Sequence, residues 1–366
     1  MTDLTTDFVT QIRDAAAAEK PRLITGGGTK TWYGNAVSAL AEGQTLCTRG
    51  HTGIVDYDPA ELVLTARTGT PLSTLEQTLA ERGQMLAFEP PRHGVGATLG
   101  GAVATALSGP GRPFVGGVRD FVLGMHVIDG KGDVLKFGGQ VMKNVAGYDV
   151  SRLMTGALGV LGLMTQVSLK VLPVPPASAT LRFECDQAAA IQQVNTWSGR
   201  PLPLTATAWA NGVLHVRLSG ARAAVDSAIS QLGGERLSDT SATELWMGLR
   251  DQSAAFFKAG TMGSALWRLS LPPTARVITG QDLPGADNQL VEWGGAQRWL
   301  WSAADAATVR QVARNLGGHA VCFDNRLASV DVFEAPAPAL MAIHQRLKQQ
   351  FDPRGIFNPG RLYRDL

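Results

Sequence analysis

Leu23-Ile24-Thr25-Gly26-Gly27-Gly28-Thr29-Lys30 sets three consecutive glycines directly after a short apolar strand. Three residues without side chains let successive backbone N–H groups converge on an anion, and Thr29 and Lys30 add a hydroxyl and a positive charge. The arrangement suits a diphosphate, with an ordinary glycine turn as the plain alternative. It is not a Walker loop, because GxxxxGK[ST] requires glycine immediately before the lysine and Thr29 stands there. Nor is GxGxxG present: the nearest run, Gly94-Val95-Gly96-Ala97-Thr98-Leu99, ends in leucine.

Three further stretches share the texture of this bend. From Pro90-Pro91-Arg92-His93 the chain runs through Gly94 to Arg112 almost without bulk, passing Ala97, Thr98, Gly100, Gly101, Thr105, Ser108 and Gly109. Such a surface lets a flat ring or a phosphate approach the backbone, and it equally suits close helix packing. Lys143-Asn144-Val145-Ala146-Gly147-Tyr148-Asp149 leads to a second small-residue run, Gly156 to Thr165, and the tail carries Phe351-Asp352-Pro353 followed by Asn358-Pro359-Gly360.

Around these, apolar periodicity and turn residues predict helices over Thr6–Glu19 and Pro71–Arg82 and strands over Arg22–Thr25, Ile54–Tyr57 and Leu62–Arg67. Phe121–Ile128 and Val134–Phe137 read as a hairpin around Asp129-Gly130-Lys131-Gly132-Asp133. A short helix over Asp149–Thr155 and a long strand over Leu163–Val171 close the first unit. Leu172-Pro173-Val174-Pro175-Pro176 then marks a boundary. Beyond it the pattern β-α-β-β-α, with Asn211-Gly212 at the hairpin turn, predicts a ferredoxin-like opening. The tail reads as a helix over Pro338–Phe351, and no internal repeat is visible. The expected domains are 1–173, 177–335 and a tail of 336–366.

The chain has 366 residues, with 33 Lys+Arg against 31 Asp+Glu and 17% charged residues. A near-neutral balance without long basic blocks argues against nucleic acid as a partner. The first residues lack a basic segment followed by an apolar one, and no window approaches the length of a bilayer span, so a cytoplasmic protein is expected. Cys47, Cys185 and Cys322 are too few for a four-thiolate iron–sulfur cluster and have no CxxC spacing.

Taken together and in this order, the four glycine-rich segments resemble the PCMH-type FAD-binding family, also called the vanillyl-alcohol oxidase family, over nearly the whole chain. Within it the likeness is to the smaller FAD-binding subunits of glycolate oxidases. Thr98-Leu99-Gly100-Gly101-Ala102, Gly116–Asp120 and Lys143–Asp149 are the most specific pieces. The resemblance implies an α+β fold: a two-subdomain FAD-binding domain, a ferredoxin-like cap, and a C-terminal helix returning to the flavin. It further implies that Gly26, Gly27, Gly28, Thr29 and Lys30 hold the pyrophosphate. Pro91, Ala97, Thr98, Gly100, Gly101, Thr105, Ser108 and Gly109 would lie along the diphosphate and ring. Gly162, Leu163 and Met164 would meet the adenine-ribose side, and Asn358 would return towards the flavin. Lys30 and Arg112 are the candidate charges for the reduced ring.

The resemblance also implies a function. It points to a subunit that oxidises glycolate or D-lactate to the 2-oxo acid with a second, metal-bearing FAD subunit and an iron–sulfur subunit, cytoplasmic or resting on the inner face of the membrane. A self-sufficient hydroxy-acid or sugar-lactone oxidoreductase and a flavin-free assembly subunit are the alternatives. The metal-binding His-x-His of the larger relatives is missing: the six histidines (His51, His93, His126, His215, His319, His344) are scattered, so no metal is expected. No catalytic residue is assigned. His319, His344, Arg119, Arg152 and Arg326 have suitable chemistry for a base or carboxylate anchor, while His51 and His93 are read as structural and not as flavin attachment points.

Overall fold

The computed structural model describes residues 2–37, 44–139, 148–324 and 330–366. The chain divides into two compact units, the first made of Met1–Leu107, Gly117–Pro173 and Ala335–Leu366, the second of Ser108–Gly116 and Val174–Glu334. The break after Pro173 coincides with the proline-rich connection. Residues 108–116 group with the second unit, and the tail groups with the first.

In the first unit, helix α1 (Thr5–Ala17) buries Phe8, Ile12 and Ala15, one face at helical spacing. Strands β1 (Leu23–Thr25) and β2 (Thr45–Cys47) pair in parallel. Five antiparallel strands form the other sheet in the order β3-β4-β8-β6-β7, where β3 is Ile54–Asp58, β4 Val63–Arg67, β6 Val122–Ile128, β7 Val134–Gly138 and β8 Leu163–Lys170. The short strands β5 (Gln84–Met85) and β9 (Leu172–Pro173) pair separately. Central β8 is buried on both faces, and its two buried hydroxyls are matched: Ser168 meets Thr65 of β4, hydroxyl to hydroxyl, at 2.8 Å, and Thr165 donates to His126 O at 3.4 Å. Helices α2 (Leu72–Ala80) and α3 (Leu99–Thr105) complete what positions the site.

The second unit is built on an antiparallel sheet of eight strands among the described residues, in the order β13-β10-β12-β11-β15-β16-β14-β17. These are β10 (Ala177–Glu184), β11 (Leu204–Ala210), β12 (Val213–Gly220), β13 (Glu235–Arg236), β14 (Ala265–Ser270), β15 (Gln289–Glu292), β16 (Gln297–Ser302) and β17 (His319–Asp324). Numbered within each half, both halves have ferredoxin-like order: fourth, first, third, second, then the mirror of it, joined where β11 pairs β15. The sequence hides this repeat because the halves share topology but not helices. The first half carries helices Gln187–Ser198 and Arg222–Leu232, whereas the β14–β15 connection of the second half has no helix and only Ala306–Asn315 follows β16. The expected Asn211-Gly212 turn has φ 51° and 78°, as a two-residue hairpin turn requires.

Candidate functional site

Parallel pairing of β1 and β2 brings their carboxyl ends side by side, so the Gly26–Lys30 bend leaves β1 where Thr48 and Arg49 leave β2. Thr48 fastens the two exits, its backbone N–H donating to Thr25 O at 2.8 Å and its hydroxyl to the same oxygen at 3.2 Å. Two of the three glycines serve different needs. A Cβ on Gly27 would stand 1.5 Å from Gly96 O, so this position is required by the approach of two backbones. Gly28 has φ +75° with open space around it, so its requirement is conformational.

The bend is polarised. Gly27 O accepts from Arg49 Nη2 at 3.2 Å, Gly28 O from the Thr31 hydroxyl at 3.3 Å, and Thr29 O from Trp32 Nε1 at 3.1 Å. Lys30 O accepts from Tyr33 N at 3.1 Å, and Arg361 Nη2 donates to Thr31 O at 2.8 Å and Tyr33 O at 3.0 Å. By contrast, the backbone N–H groups of Gly26, Gly27, Gly28, Thr29 and Thr31 meet no acceptor among the described residues. Carbonyls held from behind and amides left open make a concavity for a negative group.

Helix α3 forms the facing wall. Thr98 caps it, its hydroxyl accepting from Gly101 N at 3.3 Å, and a Cβ on Gly26 would lie 2.5 Å from that same hydroxyl. One hollow of about 80 Å³ is lined by the whole 24–31 stretch together with Thr98, Gly101, Ala104, Thr105, Leu158 and Arg361. A second, also about 80 Å³, shares Ile24, Thr25, Gly26, Gly101, Ala104 and Leu158 and adds Thr48, Thr68, Gly100, Gly159, Gly162, Met164 and Asn358. Neither hollow is large enough to enclose a dinucleotide. Their continuity and small lining residues fit one lying along them, with its diphosphate at the open amides. Lys30 is buried, its ammonium 3.3 Å from Arg92 O. Burial pushes the Arg361 guanidinium pKa down.

The expected residues therefore divide. Gly26 to Lys30, Thr98, Gly100, Gly101, Thr105, Gly162, Met164 and Asn358 line the two hollows. Asn358 does so as a clamp: its Oδ1 accepts from Ile24 N at 2.8 Å and its Nδ2 donates to Leu158 O at 2.6 Å, tying the tail to both loops. Pro91, Ala97 and Leu163 are buried and line neither hollow, Leu163 lying in the core with Phe8 and Ile12. Ser108, Gly109 and Arg112 belong to the second unit, where Trp293 holds the segment. Its indole N–H donates to Gly109 O at 3.2 Å, and the Arg112 guanidinium stacks 4.6 Å from its ring. Arg49 and Arg361 were not singled out from sequence, since nothing local marks them. The parallel β1–β2 pair and the returning tail bring them in.

Neither histidine considered as an attachment point is poised for it. His51 is buried with both ring nitrogens engaged, Nδ1 accepting from Leu4 N at 3.0 Å and Nε2 lying 2.9 Å from Thr165 O. His93 packs edge-on against Trp32 at 5.0 Å. Of the other candidates, His344 packs against Tyr363, Arg152 lies 3.4 Å from Asp149, Arg119 is exposed, and His319 opens β17 in the second unit. Arg326 and Lys143–Gly147 lie outside the described residues. Among the described residues, no three His, Cys, Asp or Glu side chains converge as metal ligands, and no helix is long and apolar enough to cross a membrane.

Residues 5–138 match the family of FAD binding domains. Over 364 residues the chain is 46% identical to glycolate oxidase subunit GlcE of Escherichia coli K12, spanning 100% of this chain and 99% of that one. This chain belongs to the GlcE family. A more distant relative is glycolate oxidase subunit GlcD of Bacillus subtilis, 30% identical over 178 residues that make up 48% of this chain and 37% of GlcD. Among solved structures, alkyldihydroxyacetonephosphate synthase superposes with a TM-score of 0.64 at 16% identity, covering 96% of this chain and 73% of that one, a likeness of fold. As a GlcE-family chain it is an FAD-dependent oxidoreductase with the PCMH-type fold, and its matched region spans the polarised bend and α3.

Proposed function

We propose that this chain is the FAD-binding subunit of a glycolate-oxidising complex, acting on glycolate or D-lactate with a second, metal-bearing FAD subunit and an iron–sulfur subunit. The observation that carries the cofactor assignment is the bend of Gly26 to Thr31: its carbonyls from Gly27 to Thr31 are taken, and the amides of Gly26, Gly27, Gly28, Thr29 and Thr31 meet no acceptor among the described residues. The full-length likeness to GlcE supports the substrate class and the assembly. When bound, FAD accepts the electron pair of a hydroxy acid's oxidation and releases it singly, which this chain's three dispersed cysteines cannot relay through a cluster of their own. The residues assigned to the cofactor are Gly26 to Lys30, Thr98, Gly100, Gly101, Thr105, Gly162 and Met164. Their task is to bind and orient the dinucleotide by main-chain contact, while Asn358 keeps the two loops in register. The reading assigns the subunit to the cytoplasm, with a resting place of the complex on the inner face of the membrane as the alternative.

Visible spectra of the isolated protein and of the assembled complex, before and after glycolate, test this. A yellow subunit whose flavin bleaches only in the complex is expected. A protein purified colourless and unable to take up FAD contradicts the cofactor assignment. Bleaching by glycolate in the isolated chain shows instead that it oxidises substrate unaided.

A further inference from the structure

In a trans peptide the C=O and N–H point in opposite directions, so fixing a carbonyl also aims the amide of the next residue. Glycine offers little resistance to turning that peptide over, and the 26–28 bend is therefore the least self-determined part of the cradle. Gly27 O is held by the Arg49 guanidinium, which directs Gly28 N–H to the opposite side. At the far end, one nitrogen of Arg361 holds both Thr31 O and Tyr33 O and fixes where the bend leaves. Arg49 lines neither hollow and meets the bend at a carbonyl, whereas Arg361 lines the hollow while holding its two carbonyls.

We propose that Arg49 and Arg361 are positioning residues of the dinucleotide site: through the Gly27 carbonyl Arg49 selects the peptide orientation that presents Gly28 N–H to the diphosphate, and through the Thr31 and Tyr33 carbonyls Arg361 fixes the course by which the bend leaves. This rests on the FAD reading given above. It also goes beyond it, because it assigns the discrimination between a phosphate-bearing flavin and a bare one to two side chains remote in sequence.

The test uses full-length protein stripped of flavin, titrated with FAD and separately with riboflavin, following flavin fluorescence at low and at high salt. Arg49→Met keeps the stem of an exposed side chain and removes its donors. It is expected to weaken FAD about tenfold at both salt levels and to leave riboflavin binding and the melting temperature of the stripped protein unchanged. Arg361→Met, checked by the same melting measurement, is expected to act in the same direction. Unchanged FAD affinity in Arg49→Met overturns the proposal. So does a loss that vanishes at high salt, which signifies direct charge attraction, or an equal loss for riboflavin. Failure of the unaltered protein to bind FAD overturns the cofactor reading itself.

Discussion

Lys348 Nζ lies 2.7 Å from Asp352 Oδ2, one turn along the helix Pro338–Phe351, with both side chains buried. Every donor of the ammonium is used, the other two going to Val160 O at 2.7 Å and Phe357 O at 2.8 Å. Asp352 in turn accepts from Ile356 N at 3.0 Å and Phe357 N at 2.8 Å. The pair thus secures the tail that carries Asn358 and Arg361 to the cradle.

Removing only the cation leaves a buried carboxylate without its counter-charge. Lys348→Met should cost about 3–5 kcal/mol in a urea unfolding titration. Lys348→Met/Asp352→Leu should recover little of this, because two backbone amides then lose their acceptor. Full recovery in the double variant would show that the tail needs only apolar contact.

His51 makes folding sensitive to acid. Burial, the largest cause, holds its pKa below the usual 6.5, so as pH falls through that value the unfolded chain takes up a proton before the folded one does. Stability contributed by neutral His51 is complete above about 6.5 and declines below it, by at most about 1.4 kcal/mol per pH unit. His51→Gln, which can still accept from Leu4 N and donate to Thr165 O, should flatten melting temperature against pH between neutrality and mild acid. An unchanged slope would assign the acid response to other histidines whose pKa desolvation lowers, His126 and His215 among them.

The bend's glycines should respond differently to alanine. Gly27→Ala drives a methyl into Gly96 O and should disrupt the fold, whereas Gly28→Ala meets open space at φ +75° and should cost about 1–2 kcal/mol of backbone strain alone. Thermal melting of the flavin-free variants checks both. Equal effects would contradict the close backbone approach at Gly27.

Trp293 holds residues 108–116 by its indole N–H and its ring face. Trp293→Phe keeps a face for Arg112 and deprives Gly109 O of its donor, so the loss should be about 1 kcal/mol by urea midpoint. A loss of several kcal/mol would mean that the ring's packing, and not the hydrogen bond, dominates.

Much of this was legible in the sequence because it depends on local pattern. The glycine bend after β1 and the Asn211-Gly212 hairpin each need only neighbouring residues. The illegible parts depend on where distant chain returns. Arg49 reaches Gly27 only because β2 runs parallel to β1. Arg361 arrives with a tail pinned by a buried ion pair, and Ser108 to Arg112 cross into the second unit directly after a helix that lines the hollows. Ala97 and Leu163 share the small or apolar texture of their surroundings, and composition does not say which face a side chain takes.

The most direct measurement is a crystal structure of the flavin-loaded protein. Diphosphate oxygens should lie within about 3.2 Å of the backbone nitrogens of Gly27, Gly28 and Thr29, with Arg49 still donating to the Gly27 carbonyl. A diphosphate bound elsewhere, or a bend whose amides point away from it, would contradict the account.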